Sequence, residues 1–179
     1  MPLHKLGIGG TSTTTVLDRQ TLLDLIAHEG LVTGIIDEAT QITPNGVELS
    51  LQKVYRFREA GLVDFDNTKR RIPEYEEIVP VGDRYSLSPG AYLVTYNETV
   101  RLPLDMVAIG RPRSSLLRSG VTIESAVWDA GYEGRSRGLL TVFNPHGFVV
   151  TKNARLLHLI FIQLKRKTKP YQGAYQKET

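Results

Sequence analysis

Hydrophobic residues along the chain fall into short runs that turn residues separate. Proline, glycine and asparagine interrupt the runs at 44–45, 88–90, 102–104 and 144–147. Eight runs have the length and composition of β-strands: residues 47–51, 54–57, 91–96, 106–109, 121–128, 139–143, 148–150 and 156–164. Many short strands with few helices predict an all-β domain, built as a barrel or as a double sheet.

One amphipathic helix is predicted before residue 113. Asp18 is a suitable N-cap, and Gly30 is placed to end the helix. Between them, Leu22, Leu23, Leu25 and Ile26 supply the apolar positions. The polar stretch 64–73 is predicted to be an exposed loop.

Length and composition bound the architecture. The 179 residues are 41% hydrophobic and 23% charged, which suits one globular domain over residues 1–179. No apolar run approaches the roughly 20 residues that a membrane-spanning helix needs, and the first ten residues lack the apolar centre of a secretory signal. We therefore expect a cytoplasmic protein without a membrane partner.

The cysteine count and the charge distribution exclude further kinds of site and partner. The chain has no cysteine, which excludes disulfides, thiolate zinc sites and cysteine nucleophiles. The net charge of +3 comes from residues 165–179, which hold five basic residues and one acid. The rest of the chain has 17 basic and 18 acidic residues. We therefore expect a flexible basic tail and no nucleic-acid partner.

Several common sites are missing from the sequence. It contains neither a P-loop nor a dinucleotide-binding glycine motif. The cysteine ligands of the zinc deaminases are absent. The four histidines, His4, His28, His146 and His158, are scattered, so we predict no histidine metal site.

Two segments carry candidate chemistry. Residues 113–120, RSSLLRSG, place two guanidinium groups and three hydroxyls after Pro112, and a short helix starting there suits a phosphate. Residues 127–134, VWDAGYEG, end an apolar strand in a carboxylate and continue into a glycine-framed turn with an aromatic ring. A carboxylate held in this way can act as a general base. Taken singly, each segment also fits an ordinary capped helix or hairpin turn.

The order of these segments resembles the superfamily of trimeric dUTPases and dCTP deaminases. RSSLLRSG is followed by WDAGYEG, then by the Phe143-Asn144 pair and the strand RLLHLIFIQL, as in that superfamily. Upstream, PNGVELSL is similar to the family's Gly-x-Asp-Leu strand, with Glu48 in the aspartate position. The resemblance covers about residues 17–164. It implies a distorted β-barrel of the dUTPase-like, β-clip type and a homotrimer with active sites between subunits.

The resemblance also separates two branches of the superfamily. Deaminases carry a glutamate proton shuttle three residues before the aromatic-Asn asparagine, where this chain has Thr141, or Leu139 in a register without the two extra hairpin residues. No acid occurs between Glu133 and Glu178. Loss of a positioned acid or base typically costs ~10²- to 10⁴-fold in rate. The sequence therefore favours hydrolysis of dUTP to dUMP and pyrophosphate over deamination, with the archaeal-type dUTPases as the nearer branch.

The resemblance assigns roles to individual residues. Asp129 would orient the attacking water, Tyr132 would stack under the deoxyribose, and Arg118 would steer phosphate or support the site. Mg²⁺ would be held mainly by the triphosphate. Arg113, Ser114 and Ser115 would hold the triphosphate, and the backbone around Ser125 and Thr141 would bind the uracil edge. Tyr171 and Gln176 of the tail would bind the substrate as well, whether or not the tail closes over it.

Two alternatives stay open at this point. One is a dCTP deaminase, or a bifunctional enzyme, that uses an unrecognised acid. The other is a nucleotide-binding regulator without catalytic activity, because a fold does not by itself confer activity. Arg135 and Arg137 are expected to be exposed charges at the hairpin tip, and His158 a core or interface residue.

Overall fold

The computed structural model describes residues 14–178, which form fourteen strands and three short helices. The helices are α1 (Arg19–Glu29), α2 (Glu38–Gln41) and α3 (Ser114–Arg118). The strands are β1 (Thr15–Val16), β2 (Val32–Thr33), β3 (Ile42–Thr43), β4 (Gly46–Phe57), β5 (Tyr75–Glu77), β6 (Arg84–Leu87), β7 (Gly90–Tyr96), β8 (Thr99–Arg101), β9 (Met106–Pro112), β10 (Val121–Glu124), β11 (Glu133–Gly134), β12 (Arg137–Val142), β13 (Phe148–Thr151) and β14 (Arg155–Gln163).

The predicted all-β barrel is confirmed. The main sheet has nine strands and curls into a half-barrel, with β14, β4, β7 and β12 as successive antiparallel neighbours. Strand β9 pairs with β14, and β10 pairs with β12 at one edge. A three-stranded sheet of β11, β8 and β2 and a ribbon of β13 and β6 complete the structure. No helix in the described part of the chain has the length and apolar character needed to cross a membrane.

Helix α1 forms as its end signals predict. The Thr21 N–H donates to the Asp18 carboxylate at 3.0 Å, and this hydrogen bond lowers the pKa of Asp18. Gly30 ends the helix in the left-handed conformation at φ 67°, where its N–H donates to the Ile26 carbonyl. Leu22 is fully buried against the barrel.

Two strand predictions were wrong in detail. Residues 47–51 and 54–57 form one strand, β4, because a register shift between Leu51 and Lys53 lets it continue past the irregularity. The strand predicted over 121–128 ends at Glu124. Residues 125–127 leave the sheet, and Trp128 returns to pair with Ala108 through two 3.0 Å hydrogen bonds. Seven of the strands, each two to four residues long, were not predicted, and neither was helix α2. Periodicity cannot be read over so few positions.

The hydrophobic core lies on the inner side of the curled main sheet. Its fully buried side chains include Leu49, Leu51, Tyr96, Leu140 and Phe161. The ring of Tyr96 passes under β12 at Gly138, where a Cβ would collide with the Tyr96 hydroxyl, so only glycine fits there. Burial raises the pKa of Tyr96, which keeps its hydroxyl neutral.

A carboxylate is also buried in this core. Glu98 is 1% exposed, and it accepts hydrogen bonds from the Ser50 N–H at 2.8 Å, the Ser50 hydroxyl at 2.6 Å and the Gln41 amide at 2.6 Å. It forms no ion pair with any other residue between 14 and 178. The hydrogen bonds alone therefore offset its desolvation.

Glu98→Ala should destabilise the fold strongly, because it leaves the Ser50 and Gln41 donors buried without an acceptor. We expect a loss of about 3 kcal/mol in the free energy of unfolding, or roughly 6–12 °C in Tm. Thermal denaturation at a fixed protein concentration measures the change. Glu77→Ala is the matched control, since Glu77 forms an exposed ion pair with Lys53 and should shift Tm by less than about 2 °C. Equal shifts for the two variants would contradict this prediction.

Candidate active site

Asp129, the residue predicted to act as the general base, lies in an exposed turn. Asp129 follows the Trp128–Ala108 pairing, and the Tyr132 N–H closes the turn on the Asp129 carbonyl at 3.1 Å. Gly131 occupies the left-handed region at φ 78°, which the turn requires. The sheet therefore fixes the backbone of Asp129 while its side chain faces solvent.

A buried relay holds the aromatic ring of this turn. Trp128, Tyr132 and Ser136 are each less than 9% exposed. The Trp128 indole N–H donates a short hydrogen bond to the Ser136 hydroxyl, which donates in turn to the Tyr132 hydroxyl at 3.2 Å. Burial raises the pKa of Tyr132, so its hydroxyl stays neutral near physiological pH. The relay fixes the orientation of both rings.

Asp129 and Tyr132 line a cavity of about 510 Å³. Its walls are mainly aromatic and aliphatic, with few charged groups. This composition is typical of sites that enclose a small organic ligand and orient it with a few polar atoms. The other lining residues are Phe57, Ile72, Tyr75, Leu93, Ala126, Val127, Trp128, Ser136, Arg137, Tyr171, Tyr175 and Glu178.

The basic tail forms one wall of this cavity. The Tyr171 N–H donates to the Ala130 carbonyl at 2.8 Å, and the Lys177 N–H donates to the Glu133 carbonyl at 2.7 Å. The ring of Tyr171 meets that of Tyr132 edge-on at 5.7 Å. The Gln176 side chain bonds Gly131 and Glu133. Residues 165–178 lie along the hairpin in this way, and the flexibility of the tail stays a prediction.

The arginine-serine segment lies in a different depression. Helix α3 begins at Ser114, as predicted, and Arg113 and Ser115 line a depression of about 410 Å³ beside β13 and β14. Ser114, Ser115 and Arg118 are exposed. This depression and the cavity at Asp129 have no lining residue in common.

Arg113 is held by a nearly buried carboxylate. The Glu48 side chain is 10% exposed, and its two oxygens accept from Arg113 Nε at 2.8 Å and from an Arg155 Nη at 2.7 Å. Arg113 also donates to the Arg155 carbonyl at 3.3 Å. One carboxylate between two guanidinium groups leaves this cluster with a net positive charge, which suits an anion.

The outer face of β12 carries Thr141. It pairs with Ala91 on β7 and with Thr122 on β10. Glu124 lies opposite Leu139 in the same pair of strands, and its carboxylate accepts from the Thr122 hydroxyl at 3.0 Å. Ser125 follows directly and packs near Gly110. The register therefore brings an acid of the neighbouring strand, Glu124, beside β12, although the sequence holds no acid between Glu133 and Glu178.

The comparisons with known proteins agree with this architecture. Residues 16–164 match the family described as dCTP deaminase-like. This chain belongs to that family. It is 47% identical over 163 residues to a probable deoxyuridine 5'-triphosphate nucleotidohydrolase of Archaeoglobus fulgidus, covering 91% of this chain and 96% of that protein. It is 36% identical over 141 residues to the deoxyuridine 5'-triphosphate nucleotidohydrolase of Methanocaldococcus jannaschii, covering 78% and 89% of the two chains.

A solved structure supports the fold of the dCTP deaminase-like family. The 2'-deoxycytidine 5'-triphosphate deaminase from Agrobacterium tumefaciens superposes with a TM-score of 0.65 at 22% identity, covering 84% of this chain and 49% of that chain. At this identity the likeness concerns the fold alone.

The expectation that Arg135 and Arg137 are exposed charges at the hairpin tip was wrong. One Nη of Arg135 donates to the carbonyls of Tyr96 and Asn97, at 2.8 Å each. Arg137 stacks over the Tyr75 ring at 4.9 Å and forms an ion pair with Glu178 at 2.6 Å. None of these four partners is near in sequence, so no local pattern could have predicted the contacts.

Other predicted residues are distributed between the two depressions and the barrel. Asp129, Tyr132 and Tyr171 meet in one cavity, whereas Arg113 and Ser115 line the other. His158 lies on β14 with its Nε2 3.2 Å from the Thr43 hydroxyl oxygen. His4 lies outside the described residues. Sequence reasoning missed Tyr75, Arg137, Tyr175 and Glu178 as cavity residues.

Ser136→Ala should loosen the turn, because it removes the group that joins Trp128 to Tyr132. Leaving the indole N–H buried without its acceptor should cost about 2 kcal/mol in the free energy of unfolding. Trp128 is the only tryptophan, so its fluorescence reports directly on the site. We expect a shifted emission maximum in the folded variant. An exposed serine, Ser114→Ala, is the control, and an unchanged emission with unchanged stability for Ser136→Ala would argue against the relay.

Proposed function

We propose that this protein is a dUTP diphosphatase, which hydrolyses dUTP to dUMP and pyrophosphate. The single observation that carries the proposal is the turn that presents an exposed Asp129 beside the fixed ring of Tyr132 in one cavity. The dUTP nucleotidohydrolase names of archaeal relatives that are 36–47% identical over most of the chain support this activity. We expect the enzyme to act in the cytoplasm.

Asp129 would act as the general base. Its exposed carboxylate lies at the edge of the cavity, on a backbone that the sheet holds in place. It can therefore accept a hydrogen bond from water and orient that water toward the α-phosphorus. Attack there forms a new oxygen–phosphorus bond and expels pyrophosphate. The pyrimidine ring takes no part in the reaction.

Tyr132 would select the sugar. Its ring cannot turn away, because the Ser136 hydroxyl and the Tyr171 ring hold it from two sides. A ring fixed under the deoxyribose leaves no room for a 2′-hydroxyl, so ribonucleotides would bind poorly. The backbone at Ser125 and Thr141 would bind the uracil edge. Gln176 would contribute by holding the turn, since its amide already bonds Gly131 and Glu133.

The triphosphate would bind to Arg113, Ser114 and Ser115 of a neighbouring subunit. Arg113 and Ser115 line a depression that is separate from the cavity at Asp129, which supports sites between subunits. The family resemblance implies that the assembly is a homotrimer. Glu48 fixes Arg113 before the substrate arrives, which reduces the entropy lost on binding. Arg118, exposed on α3, would steer the phosphates.

Mg²⁺ would be held mainly by the substrate. Residues 14–178 contain no group of three or more side chains arranged to ligate a metal, whereas Asp129 offers one exposed carboxylate beside the cavity. This donor set fits an ion that takes most of its ligands from phosphate oxygens and water. When bound, the ion neutralises charge on the phosphate oxygens.

Parallel assays test the proposed activity against its alternatives. The protein is incubated with Mg²⁺ and either dUTP or dCTP, and pyrophosphate and ammonia are followed. Pyrophosphate from dUTP without ammonia from dCTP is the expected result. Ammonia from dCTP would assign a deaminase, with Glu124 as the first acid to replace by glutamine. Binding without turnover of either nucleotide would assign a regulator.

Asp129→Asn should abolish turnover while preserving binding, because asparagine keeps the shape but cannot act as the base. We expect kcat to fall by about 10²- to 10⁴-fold, with the affinity for an α,β-imido analogue of dUTP changed by less than a few-fold. Steady-state kinetics and Trp128 fluorescence measure the two quantities. Asp83→Asn is the control, because Asp83 is exposed away from the cavity. Activity of Asp129→Asn within a few-fold of the wild type would remove Asp129 from this role.

A further inference from the structure

Arg137 has an unusual environment for a residue on the outer face of β12. Its guanidinium group stacks over the Tyr75 ring, donates to the Tyr75 hydroxyl and pairs with the Glu178 carboxylate at 2.6 Å. The side chains of Arg137 and Glu178 are 25% and 23% exposed. A planar guanidinium group fits this combination of stacking and pairing better than an ammonium group does.

The pair joins two distant parts of the chain. Arg137 belongs to the barrel, whereas Glu178 is near the end of the tail. Within residues 14–178, this is the one ion pair between the tail, residues 165–178, and the rest of the protein. The Arg70 guanidinium also lies over the Tyr175 ring, 5.9 Å from its centroid. The hydrogen bonds of this tail go mostly to the hairpin backbone.

The last residues of the tail approach the hairpin closely. The Glu178 carbonyl accepts from the Arg135 N–H at 2.7 Å. A Cβ at Gly134 would come within 3.1 Å of the Glu178 nitrogen. The absence of a side chain at position 134 thus lets Glu178 reach Arg137. Glu178, Tyr171 and Tyr175 then line the same cavity as Asp129.

We propose that Arg137 is a positioning residue, whose ion pair with Glu178 latches the tail so that Tyr171 and Tyr175 form a wall of the cavity. The proposal rests on the proposed function only in taking dUTP as the ligand of that cavity. Arg137 acts through the tail and not on the reacting atoms. Loss of the latch should therefore weaken nucleotide binding and leave the chemical step nearly unchanged.

The first test needs no nucleotide. Lys165, Arg166 and Lys167 are exposed trypsin sites at the start of the tail, and cleavage requires the segment to open locally. In Glu178→Gln, cleavage there should accelerate by about five-fold relative to cleavage at Lys152 in the same molecule, as loss of a partly buried pair predicts. Lys152 is exposed in the turn between β13 and β14. Glu178→Asp should stay close to the wild type. Equal cleavage ratios for Glu178→Gln and the wild type would overturn the latch.

The second test measures coupling between the two residues. Glu178→Gln and Arg137→Gln should each raise the Kd of the α,β-imido dUTP analogue about five-fold, and the double variant should also raise it about five-fold because the partners share one interaction. The kcat of each should stay within two-fold of the wild type, with the change appearing in KM. A 25-fold rise in the double variant, the product of two independent effects, would overturn the proposal.

Controls keep the two proposals separate. Glu77→Gln breaks the exposed pair with Lys53 and should change neither the cleavage ratio nor Kd. If Arg137→Gln does not fold, Glu178→Ala replaces it, because this variant keeps the Glu178 carbonyl that bonds Arg135. It should match Glu178→Gln in both measurements, and wild-type behaviour of Glu178→Ala would overturn the latch. If the wild-type protein neither binds nor hydrolyses dUTP, the proposed function fails, while the trypsin ratio still decides on the latch.

Discussion

The site depends on one buried hydroxyl. Ser136 lies between the indole of Trp128 and the hydroxyl of Tyr132, and it is the polar group that joins the two sides of the turn. Asp129 is between those aromatic residues in sequence, so its backbone position follows from theirs. Because the relay is buried, each donor and acceptor in it must find its partner inside the protein. The orientation of the turn is therefore a consequence of hydrogen-bond satisfaction.

Charge is arranged differently at the depression beside Arg113 and at the cavity beside Asp129. At Glu48, one carboxylate holds two guanidinium groups, and the cluster keeps an excess positive charge for an incoming anion. At Arg137 and Glu178, the charges balance, and the pair joins the tail to the barrel. A balanced pair adds little to the attraction of a polyanion. The first cluster therefore suits phosphate binding, while the second suits control of the cavity wall.

The sequence predicted the parts of the fold that local signals encode. Asp18 and Gly30 bound α1 because capping is a local interaction. The strand at 121–128 was wrong beyond Glu124, since composition does not reveal that residues 125–127 leave the sheet before Trp128 pairs with Ala108. Arg137 and Glu178 are 41 positions apart in the sequence, and no local sequence pattern links the two residues. Such pairings depend on tertiary structure, which single-sequence reasoning reaches only through a family resemblance.

The separation of the Asp129 cavity from the Arg113 depression constrains the proposed reaction. Attack at the α-phosphorus requires the base and the phosphate ligands to contact one nucleotide at the same time. Asp129 and Arg113 line depressions that share no residue. Glu48 and the Arg155 carbonyl both bind Arg113, which favours the position of its side chain in the second depression. The base and the phosphate ligands of one catalytic site would therefore come from different copies of the chain, and assembly would be a condition of catalysis.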